Sequence, residues 1–201
     1  MGDWRSYSTT SRISISSRLA RLDFGLNSHL NEFQVDNTIL TKKTSASLLS
    51  EPNYAGNIIV ILSNLPEFLR KPILQKRLME FFSMSSSDKA EIINNALAAG
   101  PTIPFDKFTK LFKTWLEVLS GLSEEQRTNM FVSYVAEIIE NPHKLVSFNL
   151  DGILEIFLSL TPDQKDAISN SIKKIVSALD ETKKKRLTMI IPVRARREFG
   201  I

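Results

Sequence analysis

Apolar residues recur at helical spacing from about Arg18 to about Pro192. Phe105, Phe108, Phe112, Trp115 and Leu119 advance by three or four residues at a time, which places them on one helical face. Met130, Phe131, Tyr134, Val135, Ile138 and Ile139 make a wider stripe, as in a helix packed between neighbours. Ile168, Ile172, Ile175, Val176 and Leu179 repeat the pattern, and Gly100-Pro101, Gly121 and Asn141-Pro142 supply stops. Strand alternation is almost absent. The β-branched run Ile58–Leu62 follows Pro52, a helix-start residue, and is read as helical.

The polar positions explain where these helices begin. A phrase recurs in which an apolar residue precedes Ser, Thr, Pro or Asp, then one or two acids, then Lys or Arg. It reads Leu65-Pro66-Glu67 with Arg70, Met84-Ser85 with Asp88-Lys89, and Ile103-Pro104 with Asp106-Lys107. It continues as Leu122-Ser123-Glu124-Glu125 with Arg127, Leu160-Thr161-Pro162-Asp163 with Lys165, and Leu179-Asp180-Glu181 with Lys183. The leading positions 65, 84, 103, 122, 160 and 179 are 19 residues apart, with one interval of 38. The missing slot, near Asn141-Pro142, lacks its apolar leader but keeps a proline. Each phrase is a helix start: the small polar residue caps first-turn amides, proline loses nothing there, and acids complement the helix dipole. Ser123…Gln126 and Thr161…Gln164 have capping-box spacing, with Leu122 and Leu160 as staple residues.

The sequence thus predicts an all-α fold of stacked helix–turn–helix repeats with a new helix about every 19 residues; a compact multi-helix bundle is the alternative. In its capping phrases and unit length the chain is similar to α-solenoids of the HEAT and armadillo type. It likewise resembles the small superhelical domains of magnesium-channel regulators and flagellar motor switch proteins. The expected organisation is a basic Ser/Arg-rich arm over 1–17, a helical domain over 18–192 and a basic tail over 193–201. Within the domain, 18–50 is less regular, with one helix through Leu19, Leu22, Leu26, Leu30 and Phe33, and 51–192 holds the repeats. Pro72 should kink its helix or begin it.

Charge modifies this picture at the ends. Residues 1–22 hold Arg5, Arg12, Arg18 and Arg21 against Asp3, and residues 183–201 hold Lys183, Lys184, Lys185, Arg186, Arg194, Arg196 and Arg197 against Glu198. The net charge is +4, so the body between them is mildly acidic. A uniformly basic nucleic-acid-binding domain differs from this, whereas a scaffold with cationic ends matches it. Lys183–Arg186 fall in the opening turns of the last expected helix, where cations oppose the dipole. Leu187, Met189, Ile190 and Ile191 supply that helix with an apolar face.

Catalytic chemistry finds little support. No cysteine is present, which removes disulfides, thiolate metal sites and cysteine nucleophiles. Seven glycines leave no glycine-rich phosphate loop, and G-x-S-x-G is absent. The two histidines, His29 and His143, stand near Glu32 and Glu140 at di-metal spacing, but Pro142 interrupts the second pair. Glu137 and Glu155 edge apolar stripes and are the acids to examine for burial, while Phe105, Phe108, Phe112 and Trp115 suit a core better than a partner groove. No apolar run approaches the length of a membrane span. Met1-Gly2-Asp3 matches a myristoylation pattern poorly, and the acid-free Arg5–Leu22 stretch resembles an organelle transit peptide as well as a flexible arm.

The expectation is a non-enzymatic, cytoplasmic protein-interaction or scaffold module without cofactor or metal, whose basic ends contact an anionic surface. The eleven cations named above are the candidate contact residues. Trp4 and Tyr7 beside Arg5 could stack on bases. Nucleic-acid association through the ends and peripheral membrane binding are the alternative functions, and organelle targeting is the alternative location. The partner and the oligomeric state are not encoded in any motif.

Overall fold

The N-cap chemistry read from the sequence recurs in three dimensions at the same interval. The computed structural model describes residues 54–201, and every regular element among them is helical. Helix α1 spans Tyr54–Asn64, α2 Glu67–Phe82, α3 Ser86–Ala99, α4 Phe105–Ser120 and α5 Glu124–Glu140. After these come α6 Leu150–Leu158, α7 Pro162–Ala178, α8 Glu181–Ile190 and α9 Val193–Phe199, with 3₁₀ turns at Gly100–Thr102 and Pro142–Leu145. The N-cap residues Pro66, Ser85, Pro104, Ser123, Thr161 and Asp180 keep the 19-residue interval and its one gap. The Ser85 hydroxyl accepts from the Asp88 amide, and the Asp180 carboxylate accepts from the Lys183 amide. Both expected capping boxes form: Ser123 with Gln126, and Thr161 with Gln164. Where proline is the N-cap, Glu67 and Asp106 meet the dipole instead.

The missing slot has a physical cause. After Asn141 the residues that would open a helix are Pro142, His143 and Lys144, so no acid stands where the other starts place one. The chain makes only a 3₁₀ turn there. The next α-helix waits until Leu150, where the Asn149 side chain accepts from the Gly152 amide. Pro72, by contrast, neither begins nor ends a helix: α2 runs through it.

From α2 onward the helices pack against those two or three places along the chain rather than against their immediate neighbours. Helix α2 lies on α4, α3 on α5, α4 on α6 and α7, and α5 on α7 and α8. The most deeply buried large side chains, Ile93, Leu119, Met130 and Ile168, come from α3, α4, α5 and α7. They belong to one core running from Leu62 to Ala195, and a smaller cluster of Ile139, Val176 and Leu187 ties α8 to α5 and α7.

The expected tail over 193–201 is corrected. Val193–Phe199 form α9, which packs on α7, with Ala195 buried and the Phe199 ring 4.7 Å from that of Phe157 on α6. Pro192 at its N-cap gives the break that separates it from α8, and Gly200 ends it in the left-handed region at φ 65°. The readings made for residues 1–53, including the Ser/Arg-rich arm and the helix through Leu19 to Phe33, lie outside the described residues.

Candidate functional site

Two arginines written into the helix-start phrases are not surface cations. Arg70 is 4% exposed and Arg127 7% exposed, and among the described residues neither is in an ion pair. Arg70 donates from Nε to the Leu62 carbonyl (3.0 Å), from Nη1 to the Lys110 carbonyl (2.7 Å) and Thr114 Oγ1 (3.0 Å), and from Nη2 to the Leu65 carbonyl. Arg127 donates from Nε to Ser171 Oγ (2.9 Å) and from Nη1 to the carbonyls of Leu119, Ser120 and Leu122. In both cases the partners lie eight and five residues before the arginine and forty-four after it. Thr114 and Ser171 each bond back to the carbonyl four residues earlier, at Lys110 and Ala167.

The second bracket therefore repeats the first three helix intervals later, with the guanidinium turned so that Nε and Nη1 exchange targets. Each clamps the carbonyl end of the preceding helix, where unpaired acceptors and the negative end of the dipole converge, to the helix two places on. The sequence contains the signal, an Arg four residues after the N-cap in two phrases, but first-turn cations ordinarily face water and burial is not visible without the packing.

The aromatic stripe of α4 is core along most of its length. Phe108 stacks on Phe112 (5.5 Å between centroids), Phe112 on Trp115 (5.4 Å), and Trp115 meets Phe131 and Tyr134 edge-on. The Phe148 ring closes on Phe108 from the other side. Gly100 and Gly152 permit this approach: a Cβ at Gly100 would fall 2.7 Å from Phe148 Cζ, and one at Gly152 would overlap the Phe105 ring.

Burial pushes the Tyr134 hydroxyl up to about 12. The folded chain thus holds that proton more tightly than the unfolded chain does. Its contribution to stability is intact below the ordinary value of 10.0 and is lost as pH rises from there through about 12. Absorbance titration should show one tyrosine ionising about two pH units late, and Tyr134→Phe should remove that late step; a late step that survives the substitution would contradict this placement.

The residues examined for catalysis are not brought together. His143 is exposed at the 3₁₀ turn, and His29 lies outside the described residues. Glu137 is half-buried and accepts from Asn94 Nδ2 at 2.6 Å, and Asn94 in turn accepts from Lys144, so Glu137 ties α3 and α5 to the turn. Glu155 is exposed and pairs with Arg194. A cleft of about 670 Å³ beside the start of α2 holds Lys107, Lys110 and Lys113 with Glu67, Asp106 and Glu117. Its hydroxyls are already engaged, Ser63 with the Val60 carbonyl and Thr114 in the Arg70 bracket. No group of three His, Asp or Glu suited to a metal ion occurs among the described residues.

The C-terminal candidate cations divide into held and free. Lys183 pairs with Asp180 (3.3 Å), Lys184 with Glu181 (3.0 Å) and Arg194 with Glu155. The Lys183 amide, donating into the cap, holds the Asp180 carboxyl below its usual range. Lys185, Arg186 and Arg197 are exposed and have no ion-pair partner among the described residues, while Arg196 is half-buried with its Nε unpartnered. Arg5, Arg12, Arg18 and Arg21 lie outside the described residues.

A second surface feature was not foreseen from the sequence. Val60, Ile61, Phe68 and Leu69, at the corner between α1 and α2, are all exposed, and Phe68 is 75% exposed. Among the described residues no helix is long and apolar enough to cross a membrane. No family model, curated protein or solved structure matches the chain.

Proposed function

We propose that this chain is a non-enzymatic interaction module, a stacked array of helix–turn–helix units that docks a protein partner. The array reading is supported by the 19-residue recurrence of N-caps, by the packing of α2 on α4, α3 on α5, α4 on α6 and α5 on α7, and by the two matched arginine brackets. In an up-and-down bundle, consecutive helices joined by short loops would be the main packing partners. Here they are not.

The observation that carries the functional reading is the α1–α2 corner. Four large apolar side chains fall exposed within ten residues, Phe68 foremost. Aromatic side chains are enriched at protein interfaces, and a few such anchors supply most of the binding energy. An exposed position can be changed with little effect on stability, within about 0.5 kcal/mol.

The test is quantitative capture of partners by the full chain, comparing wild type with Phe68→Asp and Ile61→Asp, with and without nuclease. The expected result is a protein retained by wild type, insensitive to nuclease, and reduced at least about tenfold by Phe68→Asp. A partner held equally by both variants, or released by nuclease, would overturn the reading.

A further inference from the structure

The last two helices carry a surface that the α1–α2 corner does not account for. On α8, Lys185, Arg186 and Met189 stand at i, i+1 and i+4, and all three are exposed. On α9, Val193, Arg194 and Arg197 stand at the same intervals and are also exposed. Met189 is 78% exposed and Val193 62% exposed. The two apolar residues are four positions apart across the Pro192 break, with a pair of cations on each outer side. Lys183, Lys184 and Arg194 are neutralised by Asp180, Glu181 and Glu155, which leaves Lys185, Arg186 and Arg197 as free charge on the two helices that carry the apolar pair, against the exposed Glu198.

Two features of this surface are left unused by the fold. Lys185 and Arg186 stand at the middle of α8, beyond its first turn, and neither is in an ion pair among the described residues. The apolar face expected for α8 is only partly used: Leu187 is buried, whereas Met189 points away from the core. A partner must therefore suit cations and aliphatic side chains together. Nucleic-acid phosphates suit the cations. The aromatic residue on these two helices, Phe199, is however packed against Phe157 and so not open to stack on bases, and Met189 and Val193 would gain nothing there. An anionic bilayer suits both groups: its headgroups attract Lys and Arg, and aliphatic side chains enter the boundary with the acyl chains.

We infer that the α8–α9 end binds an anionic lipid surface peripherally, with Lys185, Arg186 and Arg197 on the headgroups and Met189 and Val193 in the acyl boundary. This stands independently of the protein partner proposed above.

The test is co-sedimentation of the full chain with phosphatidylcholine vesicles, with and without phosphatidylserine. Binding is expected only with phosphatidylserine and should weaken as salt rises. Each juxtamembrane cation lost is expected to reduce the partition constant about fivefold, so Lys185→Gln/Arg186→Gln/Arg197→Gln should lower it about a hundredfold. Unchanged circular dichroism and thermal unfolding would establish that this variant folds. Met189→Ser/Val193→Ser should also lower vesicle binding while leaving retention on duplex RNA or DNA unaltered. Equal binding to neutral vesicles, absence of binding with phosphatidylserine at low salt, or unchanged binding by the charge variant would overturn the inference. Tighter binding to duplex than to vesicles, indifferent to Met189→Ser/Val193→Ser, would assign the surface to nucleic acid instead.

Discussion

Replacing Arg127 with methionine is expected to destabilise the folded chain by about 3 kcal/mol or more, since several hydrogen bonds from a charged donor are lost at about 1.5–3 kcal/mol each. The side chain is 7% exposed, and its departure takes the guanidinium donor from the half-buried carbonyls of Ser120 and Leu122. The Leu119 carbonyl keeps the Leu122 amide, and Ser171 keeps its bond to Ala167. Each buried acceptor left without a donor costs about 1–3 kcal/mol, and methionine returns only packing. For a domain of this size the midpoint of thermal unfolding should fall by roughly 10 °C. Arg70→Met should behave alike, since its acceptors occupy the same relative positions.

Lysine should rescue neither site well. One ammonium cannot present the planar fork that reaches two helices at once. Ser171→Ala removes a single acceptor and should cost about 1 kcal/mol. Urea unfolding of the five variants checks this ordering. Stability of Arg127→Met within experimental error of wild type would show that the bracket is not formed.

Phe108→Ala is the second large effect, at about 3–5 kcal/mol. Phe108 is buried and touches Phe105, Phe112 and Phe148, so truncation opens a cavity where α4 meets the segment leading into α6. Gly100 and Gly152 are fitted to rings in this same region, so the surroundings cannot close on the void cheaply. Phe105→Ala should cost clearly less, because Phe105 is the exposed end of the ladder. The pair separates two readings of one sequence pattern. Were the stripe an open groove for a partner, Phe108→Ala would leave thermal unfolding nearly unchanged and weaken binding alone.

The helix starts were legible because they are local chemistry. A cap, an acid and a staple act within one turn, so Ser123, Thr161 and Asp180 could be placed without knowing their neighbours. The gap at Asn141 was visible for the same reason, and so was the helical stripe of α4. What stayed hidden depends on contacts across many residues. Arg70 and Arg127 read as first-turn cations because the helix that covers each lies forty-four residues further on.

The Val193–Phe199 segment read as a tail because Ala195 and Phe199 are too few to make a periodic stripe. Their partners, among them Phe157, lie in earlier helices. Met189 was assigned to a buried face by spacing alone, and α8, packed on one side only, leaves it in water. Among the candidate contact residues, the sequence could mark the C-terminal cations as a cluster. It could not separate Lys183 and Lys184, held by their own first-turn acids, from Lys185 and Arg186.

The matched brackets are the feature on which the array reading most depends, and solvent exchange of arginine side chains observes them directly. In nitrogen-resolved NMR spectra of the full chain, the Nε–H groups of Arg70 and Arg127 should exchange far more slowly than that of Arg186, since both are buried donors in hydrogen bonds. Both signals should disappear selectively from the spectra of Arg70→Met and Arg127→Met. Exchange of either group as fast as that of Arg186 would contradict the account.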